Sequence, residues 1–247
     1  MSEEPTVRIN KYLSEAGYCS RRAADQLISD GRVTVNDAVP ELGTKIKAGD
    51  VVKVDGQLIT GPVEKPVYIA FNKPVGIVCT TETKFEKDNI IDFLKFPKRI
   101  FPVGRLDKAS EGLIFLTSDG DIVNKILRAR NNHEKEYEVT VHKPVTADFV
   151  NRMSNGISIL DTITRKCFVK QTGKFTFKIV LTQGLNRQIR RMCDYLDFDV
   201  TKLKRTRIMN IKLDTAIGEW RHLTEAELEE INRLVASSTK THIDDEE

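Results

Sequence analysis

The sequence predicts an α+β chain of two unequal domains: a small N-terminal one, then a larger mixed, mostly antiparallel β-sheet with flanking helices. Three observations carry that expectation. Beyond residue 66 the strand-like segments outnumber the helical ones and do not alternate strictly with them, which disfavours a doubly wound parallel sheet. Before residue 60, two short helical patterns are followed by brief alternating stretches. Between these regions, Thr60-Gly61-Pro62-Val63-Glu64-Lys65-Pro66 gathers turn formers and two prolines, which resist both helix and ladder. The expected domains are therefore 1–62 and 63–236. The polar stretch 237–247, ending Asp244-Asp245-Glu246-Glu247, reads as a disordered acidic tail.

Taken in order, Ile9, Leu13 and Ala16 recur at helical spacing until Gly17 provides a stop. Ser20 is placed to cap a second helix to about Ser29, with Ala24, Leu27 and Ile28 inward and Gly31 beyond its end. Arg21 and Arg22 fall in its first turn, where cations oppose the helix dipole, a placement that makes sense if an anion docks there. Val33 to Val35 and Val51 to Val54 alternate, and the latter runs through Asp55-Gly56 into Gln57-Leu58-Ile59, a hairpin signature. In the larger domain the expected strands are Val67 to Asn72, Gly76 to Thr80, Leu113 to Thr117, Tyr137 to Val141, Thr164 to Val169, Phe175 to Leu181 and Thr206 to Leu213. The expected helices are Asn89 to Lys95, Asp121 to Ala129, Thr146 to Ser154, Asn186 to Leu196 and Thr224 to Val235, the last opened by a capping box of Thr224 and Glu227.

With 247 residues, 40% of them hydrophobic, the chain can fill its cores without staples. Its net charge of +3 says little about partners, but the distribution says more. Arg187, Arg190, Arg191, Lys202, Lys204, Arg205 and Arg207 face only Asp194, Asp197 and Asp199 within one segment, and Arg8, Lys11, Arg21, Arg22 and Arg32 form a second basic group near the start. Solvated charged faces and surfaces that meet an anion both fit. Cys19, Cys79, Cys167 and Cys193 are scattered without a C-x-x-C pair, and the four histidines show no ligand spacing, so neither a disulfide framework nor a metal site is expected. The start lacks a signal-peptide pattern, and no apolar run approaches the roughly 18 residues of a membrane span. A cytoplasmic, membrane-free monomer is the expectation.

Three segments could carry chemistry. Gly104-Arg105-Leu106-Asp107 leads into the apolar run Gly112 to Thr117, which puts an Asp and an Arg on a loop held by a buried strand. An Asp that closes its own turn, or pairs with Arg105, is the plainer reading of that spacing. Tyr137 shares a strand face with Val139 and Val141, as a core tyrosine would. Arg190 flanks the apolar stripe Ile189, Met192, Cys193 and Leu196, where a surface ion pair or a phosphate contact is the common case. Neither glycine-rich nucleotide motif occurs, nor a serine nucleophile elbow.

Together, in this order and behind the N-terminal module, these segments resemble the pseudouridine synthases of the RsuA/RluB/RluE/RluF family, over roughly residues 6 to 236. Gly104-Arg105-Leu106-Asp107 is similar to that family's catalytic loop, Lys135-Glu136-Tyr137 to its tyrosine segment, and Asn186-Arg187-Gln188-Ile189-Arg190-Arg191 to its arginine helix. Residues 6 to 60, with Arg8 to Leu13 and Ser20 to Asp25, resemble an S-four type RNA-binding domain. Arg187 departs from the wider superfamily, which often has histidine there.

The resemblance implies the pseudouridine synthase fold, structured RNA as partner, and isomerisation of a uridine in 23S rRNA, with tRNA as a further candidate. Asp107, Tyr137 and Arg190 would be catalytic. Arg8, Lys11, Arg21, Arg22, Arg105, Arg187, Arg191, Lys204, Arg205 and Arg207 would hold RNA. No cofactor is implied, because isomerisation requires no redox step or outside energy. Two rivals stand beside this reading. A glycosidic hydrolase would pair Asp107 with Glu111, and a non-catalytic RNA-binding or ribosome-assembly protein would use Asp107 structurally.

Overall fold

A computed structural model describes residues 6–61, 65–127 and 132–236. The expected tail at 237–247, part of the expected junction, and the expected helix end near Ala129 lie outside the described residues. The chain divides into two compact units, Met1–Pro66 and Val67–Glu247.

In the first unit, β1 (Val7–Arg8) leads into α1 (Ile9–Glu15), and α2 (Arg21–Ser29) follows. The Ser20 hydroxyl accepts a hydrogen bond from the Ala23 N–H at 3.1 Å, the N-cap the sequence calls for. A three-stranded antiparallel sheet is built from β2 (Val33–Val35), β4 (Val52–Val54) and β5 (Gln57–Leu58), while β3 (Lys45–Ile46) pairs with β1. The β4–β5 turn is Asp55-Gly56, with φ of 50° and 78°, the left-handed pair a two-residue hairpin needs. Ile9, Leu13, Ala24, Ile28, Val33, Ile46, Val52 and Val54 form its core. Strands β1 and β3 were beyond sequence reading, since two residues carry no periodicity.

The second unit is built on a mixed sheet. Its strands are β6 (Tyr68–Lys73), β7 (Phe101–Val103), β8 (Glu111–Thr117), β9 (Lys135–Val141), β12 (Phe168–Gly173), β13 (Thr176–Leu181), β14 (Val200–Ile208), β15 (Ile211–Lys212) and β16 (Trp220–His222), with β10 (Ser158–Ile159) and β11 (Thr162–Ile163) forming a separate ribbon. The order is β12-β13-β9-β14-β8-β6-β16, with β15 added to β14 and β7 to β8. All pairings are antiparallel except β14 with β8. Every residue of β8 is buried, because Leu113 and Phe115 enter one cluster and Ile114 and Leu116 another, which explains its unbroken apolar run.

Helices α3 (Ile90–Leu94), α4 (Gly120–Leu127), α5 (Ala147–Ser154), α6 (Gln188–Tyr195) and α7 (Glu225–Val235) flank the sheet. Phe149 and Met153 of α5 and Ile189, Met192 and Cys193 of α6 pack with Val139, Phe177 and Ile179. Ile122 and Ile126 of α4 and Ile231 and Val235 of α7 pack with Ala70, Leu113 and Phe115. The capping box at Thr224 and Glu227 is present.

Several expectations need correction. Gly76 to Thr80 is a turn with one isolated bridge, Val78 to Asn89, not a strand; Gly76 sits at φ 93°, off the extended region. The strand expected at Thr164 to Val169 begins only at Phe168, because the Thr164 hydroxyl accepts from the Ile157 N–H at 2.9 Å and ties that segment to β10 instead. The strand expected from Thr206 to Leu213 is two, since the chain reverses at Met209, whose φ is 52°. Helix α6 starts two residues late, Arg187 being left-handed at φ 50°.

Candidate active site

A cavity of about 1110 Å³ opens over the centre of the sheet in the second unit. Tyr137 from β9 and Leu203 and Arg205 from β14 line it, together with the β7–β8 loop, the start of α6 and the segment after β6. The parallel β14–β8 pair under it depends on Gly112. There φ is 107°, and a Cβ would fall 2.3 Å from the Arg205 carbonyl oxygen, so only glycine allows the approach.

Asp107 stands on the loop 104–110. Leu106 is buried and its N–H donates to the Cys79 Sγ at 3.4 Å, the Ser110 N–H donates to the Asp107 carbonyl at 3.0 Å, and the Gly76 N–H donates to the Lys108 carbonyl at 2.7 Å. The turn is thus closed by the Asp107 backbone. Its carboxylate, 31% exposed, lines the cavity. Its ion pairs are with the α6 end: Arg190 Nε lies 3.6 Å and Arg187 Nη1 3.8 Å from Oδ2. Both are ion-pair rather than hydrogen-bond distances.

Arg190 is fixed from three sides, since Nη2 donates to the Ala109 carbonyl at 2.9 Å and to Ser110 Oγ at 3.1 Å, and Nη1 donates to the Val200 carbonyl at 3.1 Å. Burial lowers its pKa, Asp107 raises it and Arg187 lowers it again; it remains a cation throughout the physiological range. Tyr137 is half-buried between two core clusters and lines the cavity, and the Arg205 guanidinium carbon lies 6.0 Å from its ring centroid.

Two lysines join this set that sequence reading missed. Lys135, 8% exposed, lines the cavity, and its Nζ donates to the His133 carbonyl at 3.2 Å. Burial, with Arg205 adding to it, pushes its pKa down to about 8. Lys73 is fully buried and donates to the Pro74 carbonyl at 2.8 Å; burial lowers its pKa, while Cys79 and Asp107 raise it. Lysine defaults to the surface in a sequence reading. The one available signal was that Lys135 shares the period-two face of Tyr137.

The basic residues expected to hold RNA separate into distinct environments. Arg8 and Arg22 are exposed, Lys11 and Arg21 half-buried, with Lys11 Nζ 3.5 Å from Glu15; Arg105 and Arg187 are exposed on the cavity wall. Arg191 is exposed, but its guanidinium bonds the Asn186 carbonyl and side chain. Lys204 alternates with Leu203 and Arg205, which puts it on the other face of the sheet from the cavity. Arg205 is 3% exposed, its Nε donates to the Leu113 carbonyl at 2.6 Å, and it lines the cavity rather than the outer surface. Arg207 is half-buried and engaged within the fold, with Glu134 at 2.8 Å, the Met209 carbonyl at 2.7 Å and Glu136 at 3.8 Å.

Glu111 is buried, with Lys202 Nζ 3.2 Å from its Oε1, and it does not line the cavity. The hydrolase reading thereby loses its second carboxylate. Among the described residues, no three His, Cys, Asp or Glu side chains are grouped to hold a metal, and no helix is long and apolar enough to cross a membrane.

Comparison with known proteins places this geometry in context. A family model described as RNA pseudouridylate synthase matches residues 67–195, and an S4 domain model matches residues 7–52. The chain is 56% identical over 241 residues to the dual-specificity RNA pseudouridine synthase RluF of Escherichia coli K12, covering 97% of this chain and 83% of that protein. It is 34% identical to ribosomal large subunit pseudouridine synthase B of Vibrio vulnificus, covering 92% of this chain and 74% of that one. Its fold is similar to a crystal structure of a pseudouridylate synthase, with a TM-score of 0.67 and 27% identity over 91% of this chain and 99% of the other.

Proposed function

The chain belongs to the RNA pseudouridylate synthase family, and on that premise we propose that it converts a uridine of 23S rRNA to pseudouridine, with Asp107 as catalytic carboxylate and tRNA as a second substrate. It is an RNA pseudouridine synthase, an isomerase with an S4 domain at its N-terminus. The observation that carries the assignment of Asp107 is geometric. One cavity is walled by a carboxylate on a pinned loop, a guanidinium 3.6 Å from it, and a tyrosine on the facing strand.

The reaction breaks the bond from uracil N1 to the sugar C1′, turns the ring, joins C5 to C1′ and removes the proton from C5. At roughly 300–1,000 Å³, ordinary ligand pockets are no larger than this one, so an everted nucleotide fits. Eversion costs on the order of a few kcal/mol. Asp107 meets the sugar either by attack at C1′ or by taking the C2′ proton to give a glycal. Arg190, held by Ala109, Ser110 and Val200, keeps a positive charge beside the carboxylate and favours its ionised form. Tyr137 stacks on the detached ring and is the candidate base for C5. Arg105, exposed on the cavity wall, fills the space the base leaves. Arg8, Lys11, Arg21 and Arg22 anchor the RNA backbone.

Names of relatives support the substrate: one acts with dual RNA specificity, another on the ribosomal large subunit. We take the chain to act as a monomer in the cytoplasm. Asp107→Asn should abolish pseudouridine formation in an rRNA fragment while thermal stability and RNA affinity stay near those of the parent. Pseudouridine at the parental yield in that variant would refute the assignment. Mapping pseudouridine across total RNA with and without the protein identifies the uridine.

A further inference from the structure

Breaking the C1′–N1 bond leaves the bonding pair on the base, so the detached ring is an anion with its charge spread over N1, O2 and O4. That anion must turn before C5 reaches C1′. In water it would be stabilised by solvent, and once bound RNA covers the cavity something else must do so. Asp107 cannot, since it is itself a carboxylate engaged at the sugar.

The floor of the cavity holds two cations that the chemistry above does not use. Arg205 is almost wholly buried; its Nε is engaged by the Leu113 carbonyl, while its Nη2, buried as well, has no hydrogen-bond partner among the described residues. Buried donors left without partners are costly and uncommon. Lys135 is the second, its Nζ using one of three donor positions on the His133 carbonyl. Both side chains line the cavity together with Tyr137, and Arg205 lies against that ring.

We propose that Arg205 and Lys135 form a cationic cradle that holds the detached uracil anion through its carbonyl oxygens while it turns. This rests on the reading that uridine enters this cavity and reacts at Asp107. The Arg205 Nη2 donor then finds its partner only when a base is present, and its interaction strengthens as negative charge develops, which is the condition for lowering a barrier rather than tightening binding. Lys135 contributes charge from the strand that also carries Tyr137, so one rigid element sets the stacking surface and its counter-charge.

The test uses the full chain and two RNA fragments that differ only at the target, uridine or 5-fluorouridine, whose base leaves as the more stable anion. Because the fluorinated base has no C5 proton to release, the common readout is single-turnover loss of the N1-linked target nucleoside, measured for the parent, Arg205→Gln, Lys135→Gln and the conservative Arg205→Lys and Lys135→Arg. Each glutamine variant should lose roughly a hundredfold in rate on uridine RNA, with RNA affinity unchanged, and lose at least about tenfold less on the fluorinated RNA. The charge-keeping variants should recover part of the loss. Equal losses on both RNAs, or an effect confined to affinity, would overturn the cradle. If Arg205→Gln does not fold, the lysine variants and Arg205→Lys carry the same comparison. Asp107→Asn separates the two ideas: conversion surviving in that variant removes the underlying reading, whereas its loss together with leaving-group-independent floor variants removes only the cradle.

Discussion

Lys135 ties the chemistry of one side chain to pH. Its folded pKa lies near 8 instead of the ordinary 10.5, chiefly through burial and secondly through Arg205. The neighbouring His133 is itself held below its usual value, so it is neutral in this range and adds no charge. A cationic Lys135 is therefore present below about pH 8 and lost above it. Conversion of uridine should fall as pH rises through about 8, and Lys135→Arg, which stays charged, should remove that limb. A profile unchanged by the substitution would show that Lys135 does not set it. Stability has the opposite sign here. Between pH 8 and 10.5 the unfolded chain still holds a proton that the fold has shed, so this residue makes the fold more stable with rising pH over that window. At this scale, sequence motifs singled out Asp107, Tyr137 and Arg190, which the fold brings to one cavity. It could not see that Arg205 and Lys135 turn inward, because a basic residue on a strand is assigned outward unless its partner strands are known.

Strand β8 shows what an element contributes. Its parallel pairing with β14 brings Gly112 opposite Arg205, and both hold their positions only while the two backbones stay in contact. Gly112→Ala adds a Cβ 2.3 Å from a backbone oxygen at a φ of 107°, so neither a rotamer change nor a small shift relieves it. Clash and backbone strain each cost about 1–3 kcal/mol, and urea unfolding should report a loss in that range or above. A variant as stable as the parent would mean the pairing is looser than described. Elements were legible where a local signal was strong: Ser20, Thr146 and Thr224 all cap the helices they were expected to start. They were illegible where pairing came from afar. Strand β16 has three residues, Trp220, Arg221 and His222, that alternate no apolar face, and they join the sheet only because β6 offers an edge.

Across the whole molecule, the two units bring separate kinds of basic surface. In the small one, Arg8 and Arg22 are exposed; Arg32 is taken up by Asp55, to which its Nε donates at 2.9 Å. In the large one, Arg105 and Arg187 are exposed at the cavity, Arg205 is buried within it, and Arg207 is taken up by ion pairs. On the proposed reading, the exposed arginines of the small unit anchor RNA phosphate, so replacing them should weaken binding and leave chemistry alone. Exchanging Arg8 and Arg22 together for alanine should lower RNA affinity and make its salt dependence shallower, by roughly 0.7 to 0.9 in log–log slope for each phosphate that is no longer neutralised. The rate at saturating RNA should stay that of the parent. Titrating a labelled rRNA fragment at several salt concentrations, beside single-turnover conversion at saturation, separates the two quantities. A parental salt slope with a reduced rate would mean that these arginines act on the reacting centre, and the division between an anchoring unit and a catalytic unit would have to be abandoned.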